Sequence, residues 1–383
     1  MDDYRLLEKQ YELPLYPMRD ITIVRGKNAL VWDSDNREYI DCVGGIGVAA
    51  VGHCNDRVIE AIHQQAQRLI TCPGIFYNDT RALLLEKLVQ ITPEGLNRVY
   101  LCNSGAEAIE AAIKFTRLSM KKTDFISTVR GFHGRTMGAL SATYKPKFRE
   151  GFEPLVPGFS FVPYNDFEKL REAVTEKTAG IILEVVQGEG GIYIGDAEYF
   201  KQVRQLCTEK GVLLIIDEIQ TGFCRTGKTF ACNHFNLKPD ILCVAKAMGG
   251  GFPIGATVCS DKVAVSVGKH GTTFGGSPLA CAAACAAIDY MIDNKLADQS
   301  SEKGKYFINK LKEKTYRMVR EVRGIGLMIG IELKEEPKPY IMQLMEKGVL
   351  VLPAGQTVIR LLPPLTIEYE LLDKVVEVLA ETV

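Results

Sequence analysis

The chain has 383 residues, 46% of them hydrophobic and 24% charged, with a formal net charge of −1. This is the composition of a soluble globular protein, and so even a charge balance leaves no global footprint for nucleic acid or an anionic membrane. The longest apolar stretch, around LACAAACAAI, is far shorter than the roughly 18 residues that a membrane span needs.

The opening MDDYRLLEKQ is too charged for a secretory signal. Next, ITIVRGKNALVWDSDNREYIDC alternates apolar and polar residues and carries the turn formers Asp33, Ser34, Asp35 and Asn36, which predicts strands joined by turns. From about His53 the pattern becomes one of helices alternating with short apolar runs. NRVYLCNSG reads as a strand ending in a turn of small residues, and AEAIEAAIKFTRLSM as an amphipathic helix. AGIILEVVQGEGG, GVLLIIDE and DILCVAK read as three further strands. Near-continuous apolar strands between helices imply an α/β fold with a mostly parallel sheet covered on both faces. SPLACAAACAAIDYMIDNKL predicts one long helix leaving that core. Beyond it, VREVRGIGLMIGIEL, GVLVLPAG, VIRLLPP and a final amphipathic helix suggest a smaller α+β unit. The expected division is an N-terminal segment 1–52 joining the small domain, a large domain 53–290 and a small C-terminal domain 291–383.

Eleven cysteines lie between Cys42 and Cys285 without a CxxC pair, and read as reduced core thiols of a cytoplasmic protein. The five histidines show no metal-ligand spacing with them, so no metal is expected.

Two motifs compete for the chemistry. GFCRTGKT, Gly222 to Thr229, fits the P-loop pattern letter for letter, and LLIIDE precedes it. Context argues against a nucleotide site. A P-loop opens a long helix, whereas FACNHFNLKPD is helix-poor, and no later apolar strand ends in an acid. The second assembly uses more of the chain. Asp217 ends one apolar strand and Lys246 the next, which puts both at the carboxyl edge of the sheet, where open α/β sheets bind ligands. Ser104, Gly105 and Ala106 form a strand-to-helix turn able to present N–H groups to a phosphate. A lysine, a buried acid and a phosphate seat suit pyridoxal 5'-phosphate.

LLIIDEIQTGFCRTGKTFACNHFNLKPDILCVAKAMGGGFPIGA resembles the signature of class III aminotransferases, a subgroup of the fold-type I pyridoxal-phosphate enzymes. The resemblance runs from GKNALVWDSDNREYIDCVGGIGVAAVGH to VIRLLPPL. It leans toward the acetylornithine branch, and within it toward the variety whose lysine or ornithine precursor is attached to the small acidic carrier protein LysW; HGTTFGG, EVRGIGLMIGIELK and AGQTVIRLLPPL favour that variety. The resemblance implies that Lys246 is the Schiff-base lysine and Asp217 the pyridinium partner. It implies that Gln220 lies near the cofactor 3'-oxygen, that Phe132 stacks on the ring, and that Ser104, Gly105 and Ala106 hold the phosphate. Thr273 would reach the cofactor phosphate of a neighbouring subunit, giving a homodimer with shared sites. Arg135 and Arg360 resemble the family's carboxylate-binding arginines, and Glu189 the glutamate that masks the latter when an ω-amine is bound.

The implied reaction moves an amino group between glutamate (or 2-oxoglutarate) and the ω-semialdehyde of an α-N-blocked substrate, carrier-linked in the first reading and acetylated in the second. Four positions depart from the family pattern: Val185 follows Glu184 where proline is usual, Ser277 replaces asparagine, Ala49 stands where many acetylornithine enzymes have asparagine, and Ile46 stands where free-ornithine enzymes carry a tyrosine. The last counts against free ornithine.

Overall fold

The computed structural model describes residues 4–383. Three strands come first, β1 (Ile23–Lys27), β2 (Leu30–Asp33) and β3 (Glu38–Asp41). Asp33 closes the β2–β3 turn by accepting the N–H groups of Asp35 and Arg37 at 3.0 and 2.9 Å, as turn aspartates do. The core then supplies β4 (Leu96–Cys102), β5 (Asp124–Thr128), β6 (Phe159–Val162) and β7 (Thr178–Glu184), a short ribbon of β8 (Val186–Gln187) and β9 (Tyr193–Ile194), and β10 (Leu213–Asp217), β11 (Ile241–Val244) and β12 (Gly255–Ser260). Last come β13 (Val319–Ile325), β14 (Met328–Leu333), β15 (Val349–Leu350), β16 (Leu352–Ala354) and β17 (Val358–Leu361).

Seven strands form the central sheet in the order β4-β12-β11-β10-β7-β5-β6. Only β12 runs against its neighbours, pairing antiparallel with both β11 and β4. Every residue of β7, β10 and β11 is buried, which is why those strands read as unbroken apolar runs rather than alternating ones. The helix Gly105–Met120 lies across β11 and β12 on an alanine-rich face. Its small side chains allow the close approach in which the Thr257 hydroxyl donates to the Ala108 carbonyl at 2.9 Å.

The predicted long helix, 277–296, forms as Pro278–Asp293, and a second helix, Leu296–Glu313, follows it after Lys295 turns the chain at φ 50°. Two expectations about element limits are corrected. GVLVLPAG is divided. Its first half, β15, pairs in parallel with β3, while its second half, β16, pairs with β17. The segment before His53 is thus tied by backbone hydrogen bonds to the C-terminal part of the chain. Lys246 does not end β11 but lies two residues past it, as the first residue of a single 3-10 turn with φ 41°.

The GFCRTGKT stretch opens no helix; it turns and runs into a 3-10 segment, Ala231–Phe235. Its Arg225 is fully buried and donates to the carbonyls of Leu327 and Pro363 at 3.0 and 2.5 Å. Burial lowers that guanidinium's pKa to about 10. The stretch serves as a bolt between the central sheet and the C-terminal unit, with Lys228 left in solvent.

Candidate active site

β7, β10 and β11 run in parallel and end together, with Asp217 in register with Glu184 on one side and Cys243 on the other. Asp217 ends β10 and Glu218 follows it, and the two acids point apart. Glu218 turns into the core, where it accepts the Cys232 N–H at 2.7 Å and the Thr221 hydroxyl. Asp217 faces a cavity of about 530 Å³ above the sheet edge. One of its oxygens accepts the Ile219 N–H at 3.0 Å; the other accepts His133 Nδ1–H at 2.7 Å. His133 is fixed at its far nitrogen by the Ser127 hydroxyl at 3.2 Å. Burial opposes a charge on the imidazole, but the hydrogen bond and attraction from Asp217 outweigh it and raise its pKa.

Lys246 shares the cavity with Asp217. Burial pulls its pKa down to about 8, with help from the Arg360 charge and against the pull of Asp217, Glu184 and Glu189. Arg360, in β17, is 3% exposed and donates to Glu189 at 3.1 Å and to the Gln220 side-chain oxygen at 3.3 Å. Ser104 caps the helix Gly105–Met120 by accepting the Glu107 N–H at 3.2 Å. The N–H groups of Gly105 and Ala106 belong to the first helical turn, which has no intrahelical acceptors, and they border the cavity. A Cβ at position 105 would stand 2.8 Å from the Ile219 side chain, so a larger residue there would have to displace it.

Glu184, like His133, is a residue that sequence reasoning missed. Its two oxygens accept the N–H groups of Phe132 at 2.9 Å and Gly188 at 3.1 Å, joining the loop that carries Phe132 to the loop that carries Glu189. Burial raises its pKa to about 7, against the opposing pull of His133. Its folded pKa lies above the unfolded value, so the fold holds a proton between about pH 4.5 and 7 that the unfolded chain has released. Stability of the cofactor-free enzyme is therefore expected to fall as pH rises through that window and to level off above it. His133, also raised, acts with the same sign. Melting temperatures measured across the window should fall less steeply in Glu184→Gln than in the wild type; parallel curves would assign the titration elsewhere.

A family model described as aminotransferase class-III matches residues 15–383. The chain belongs to the class III aminotransferases. It is 48% identical to an acetylornithine aminotransferase of Methanocaldococcus jannaschii over 98% of this chain and 96% of that one. It is 49% identical to a [LysW]-aminoadipate semialdehyde transaminase of Deinococcus radiodurans, over 96% and 87%. Among solved structures, the ornithine aminotransferase of Toxoplasma gondii superposes with a TM-score of 0.95 at 35% identity, over 99% of this chain and 94% of that one. A second structure of that enzyme, with a TM-score of 0.94 at 34% identity over 99% and 94%, holds pyridoxal phosphate at partial occupancy in its active site. As a class III aminotransferase this chain is a transaminase that uses pyridoxal 5'-phosphate.

The aminotransferase cavity suits that cofactor. It combines a buried carboxylate at the sheet edge, an amine with a lowered pKa, and free helix N–H groups. Phe132, Arg135, Glu189 and Gln220 also border it, as do His133 and Ile46. Arg135 is exposed, and its guanidinium lies 3.6 Å above the Phe148 ring. Gln220 is already engaged with Arg360. Thr273 is the one predicted site residue that does not border this cavity; it is exposed, while its neighbour Thr272 accepts from Asn103 at 3.3 Å. A signal for the missed pair did exist. TAGIILE and LLIID are both apolar runs ending in an acid, and side by side they bring two carboxylates to one edge; His133, between Phe132 and Gly134, was the imidazole available to partner them.

Proposed function

We propose that the enzyme transfers an amino group between glutamate and the ω-semialdehyde of an α-N-blocked substrate, LysW-linked aminoadipate or glutamate semialdehyde. The observation that carries this reading is the Arg360–Glu189 pair beside Lys246. A paired arginine serves two substrates. With Glu189 swung aside, the guanidinium receives the side-chain carboxylate of glutamate; with Glu189 in place, the charge is masked and the longer substrate meets a neutral surface. The name of the Deinococcus radiodurans relative supports the carrier-linked form, and that of the Methanocaldococcus jannaschii relative supports N-acetylornithine as the second reading.

Bound pyridoxal phosphate supplies an electron sink for the carbon that bears the amine. The chain supplies the rest. Lys246 Nζ holds the cofactor and takes and returns the proton at that carbon, which it can do because its pKa is near 8. Asp217, held by His133, keeps a negative charge where the pyridine nitrogen would lie. Gly105 and Ala106, with Ser104, would receive the phosphate, and Phe132 and Gln220 would position the ring. Arg135 would hold the α-carboxylate of the blocked substrate.

A homodimer belongs to the proposal, with Thr273 reaching the cofactor phosphate of the other subunit. Its support is a set of large apolar side chains left in solvent, among them Ile75, Phe76, Tyr77 and Phe274 at 84%, 61%, 107% and 66% exposure. Among the described residues no helix is long and apolar enough to cross a membrane.

The test is a comparison of amine donors with 2-oxoglutarate as acceptor. LysW-linked lysine or ornithine and N-acetylornithine should exceed free ornithine in kcat/KM by about tenfold or more, the cost of one unmatched polar contact in a site with Ile46 at its wall. Free ornithine turned over as well as the blocked donors would remove the requirement for a blocked α-nitrogen.

A further inference from the structure

The loop that follows β10 carries Asp217 at the strand end, then Gln220, then the GFCRTGKT stretch with Arg225. Its base is fixed to the core by Glu218, which accepts the Cys232 N–H at 2.7 Å. The loop grips the C-terminal unit on both sides of Arg360. In front, the Gln220 side-chain oxygen accepts from Arg360 at 3.3 Å. Behind, Arg225 Nη1 donates to the carbonyl of Pro363, just past β17, at 2.5 Å and to that of Leu327, just before β14, at 3.0 Å. Gly330 of β14 lies opposite Arg360 of β17 in the ladder between these strands. One nitrogen thus ties together the two strands that carry and support Arg360.

The turn that leads into β14 is pressed onto the same loop. Gly326 has φ 56°, and a Cβ there would stand 2.4 Å from the Thr226 backbone. The Leu327 N–H donates to the Arg225 carbonyl at 3.1 Å, and the buried Ser300 hydroxyl donates to that carbonyl at 2.9 Å. A guanidinium is a costly choice for such a joint. Arg225 is fully buried, and its Nε and Nη2 find no acceptor among the described residues. Desolvation penalises a charge held this way. What it offers over a neutral side chain is long reach and a planar, fixed fork.

We infer that Arg225 is a positioning residue for Arg360, and through it governs recognition of the side-chain carboxylate of glutamate. The inference rests on the reading of Arg360 as the partner of that carboxylate and adds to it the residue that sets its place. Bidentate pairing of guanidinium with carboxylate tolerates little displacement, so a shift of β17 weakens it. A donor that meets Arg360 masked by Glu189 asks only for a neutral wall and is insensitive to the same shift.

The two half-reactions of the holoenzyme are to be followed separately by cofactor absorbance, one with glutamate and one with N-acetylornithine. Arg225→Met should lose about tenfold in efficiency with glutamate, the scale of one misaligned charge-assisted contact, chiefly through the half-saturating concentration. Its efficiency with N-acetylornithine should stay unchanged, which also shows that it folds. Arg225→Lys, which still donates to a carbonyl, should restore most of the loss. Added to Arg360→Gln, Arg225→Met should cost nothing further with glutamate, because both act through one group. Ser300→Ala keeps the guanidinium but frees the Arg225 carbonyl of one donor, and should show the same selective loss in smaller measure; it decides the matter if the methionine variant does not fold. Equal losses with both donors, no loss with either, or independent losses in the double variant would reduce Arg225 to a structural bolt and overturn the inference, leaving the reading of Arg360 intact. An Arg360→Gln enzyme that reacts with glutamate as well as the wild type would overturn both.

Discussion

Lys246→Ala is expected to abolish transamination, with a loss of at least about 10⁴-fold, because one side chain supplies both the covalent attachment and the proton transfer. The visible absorbance of the lysine-bound cofactor should vanish with it. The residue's setting makes the dual role possible. An ordinary ammonium would be fully protonated at neutral pH and could neither attack an aldehyde nor accept a proton. Here burial is the largest influence and brings the pKa to about 8, with Arg360 adding to it and three carboxylates restraining it. The same setting rules out unfolding as the cause of the loss. A lysine whose folded pKa lies below its unfolded value weakens the fold while it is charged, a cost that is present below about pH 8 and fades as the pH rises toward 10.5. Removing the amine removes that cost, so the cofactor-free variant should melt no lower than the cofactor-free wild type at pH 7. A variant with near wild-type turnover would take Lys246 out of the reaction. So would capture of the cofactor by the cofactor-free wild type at a rate that ignores pH, since that rate should climb with the neutral-amine fraction up to about pH 8.

What the sequence made legible divides along a physical line. Strands buried on both faces, such as β7, β10 and β11, are apolar at every position, so their existence and parallel arrangement could be read directly. Asp217 was visible because it interrupts such a run at its end. Lys246 was visible for the same reason, although its true place, two residues beyond β11 in a left-handed turn, depends on backbone geometry that no residue pattern specifies. The division of GVLVLPAG was hidden because two sheets recruit halves of one apolar run, a tertiary choice that local pattern does not encode. The Glu184 bridge could not be seen for a related reason. It joins loops 52 and 4 residues away along the chain through backbone N–H groups, and backbone donors leave no mark in a sequence. The P-loop resemblance misled in the opposite sense. Its letters match, but Arg225 in its midst is buried among carbonyls, a role that a nucleotide-binding loop would leave no room for.

Asp217→Ala is expected to lower kcat on the order of 10²–10³-fold, the range seen when one preorganised electrostatic partner is removed from a buried site. Cofactor should still bind, more weakly, because the phosphate seat at Gly105 and Ala106 and the amine of Lys246 are untouched. The size of the effect follows from what surrounds the carboxylate. Asp217 is 5% exposed, is anchored by the Ile219 N–H, and shares its second oxygen with His133 at 2.7 Å. A carboxylate so fixed faces the cofactor with its charge already in place and needs no reorganisation as the electron demand on the ring rises. Alanine removes the charge and also strands His133, whose raised pKa depends on that hydrogen bond. The variant's imidazole pKa should therefore fall below the ordinary histidine range under the burial that Asp217 had offset. Asp217→Asn separates the two consequences, since it keeps a hydrogen-bond partner for His133 while giving up the charge. If Asn loses as much activity as Ala, the charge opposite the ring nitrogen is what matters; if Asn is near wild type, the electron-sink role assigned to Asp217 fails. Histidine titration followed by NMR in all three proteins reports the second effect independently of turnover.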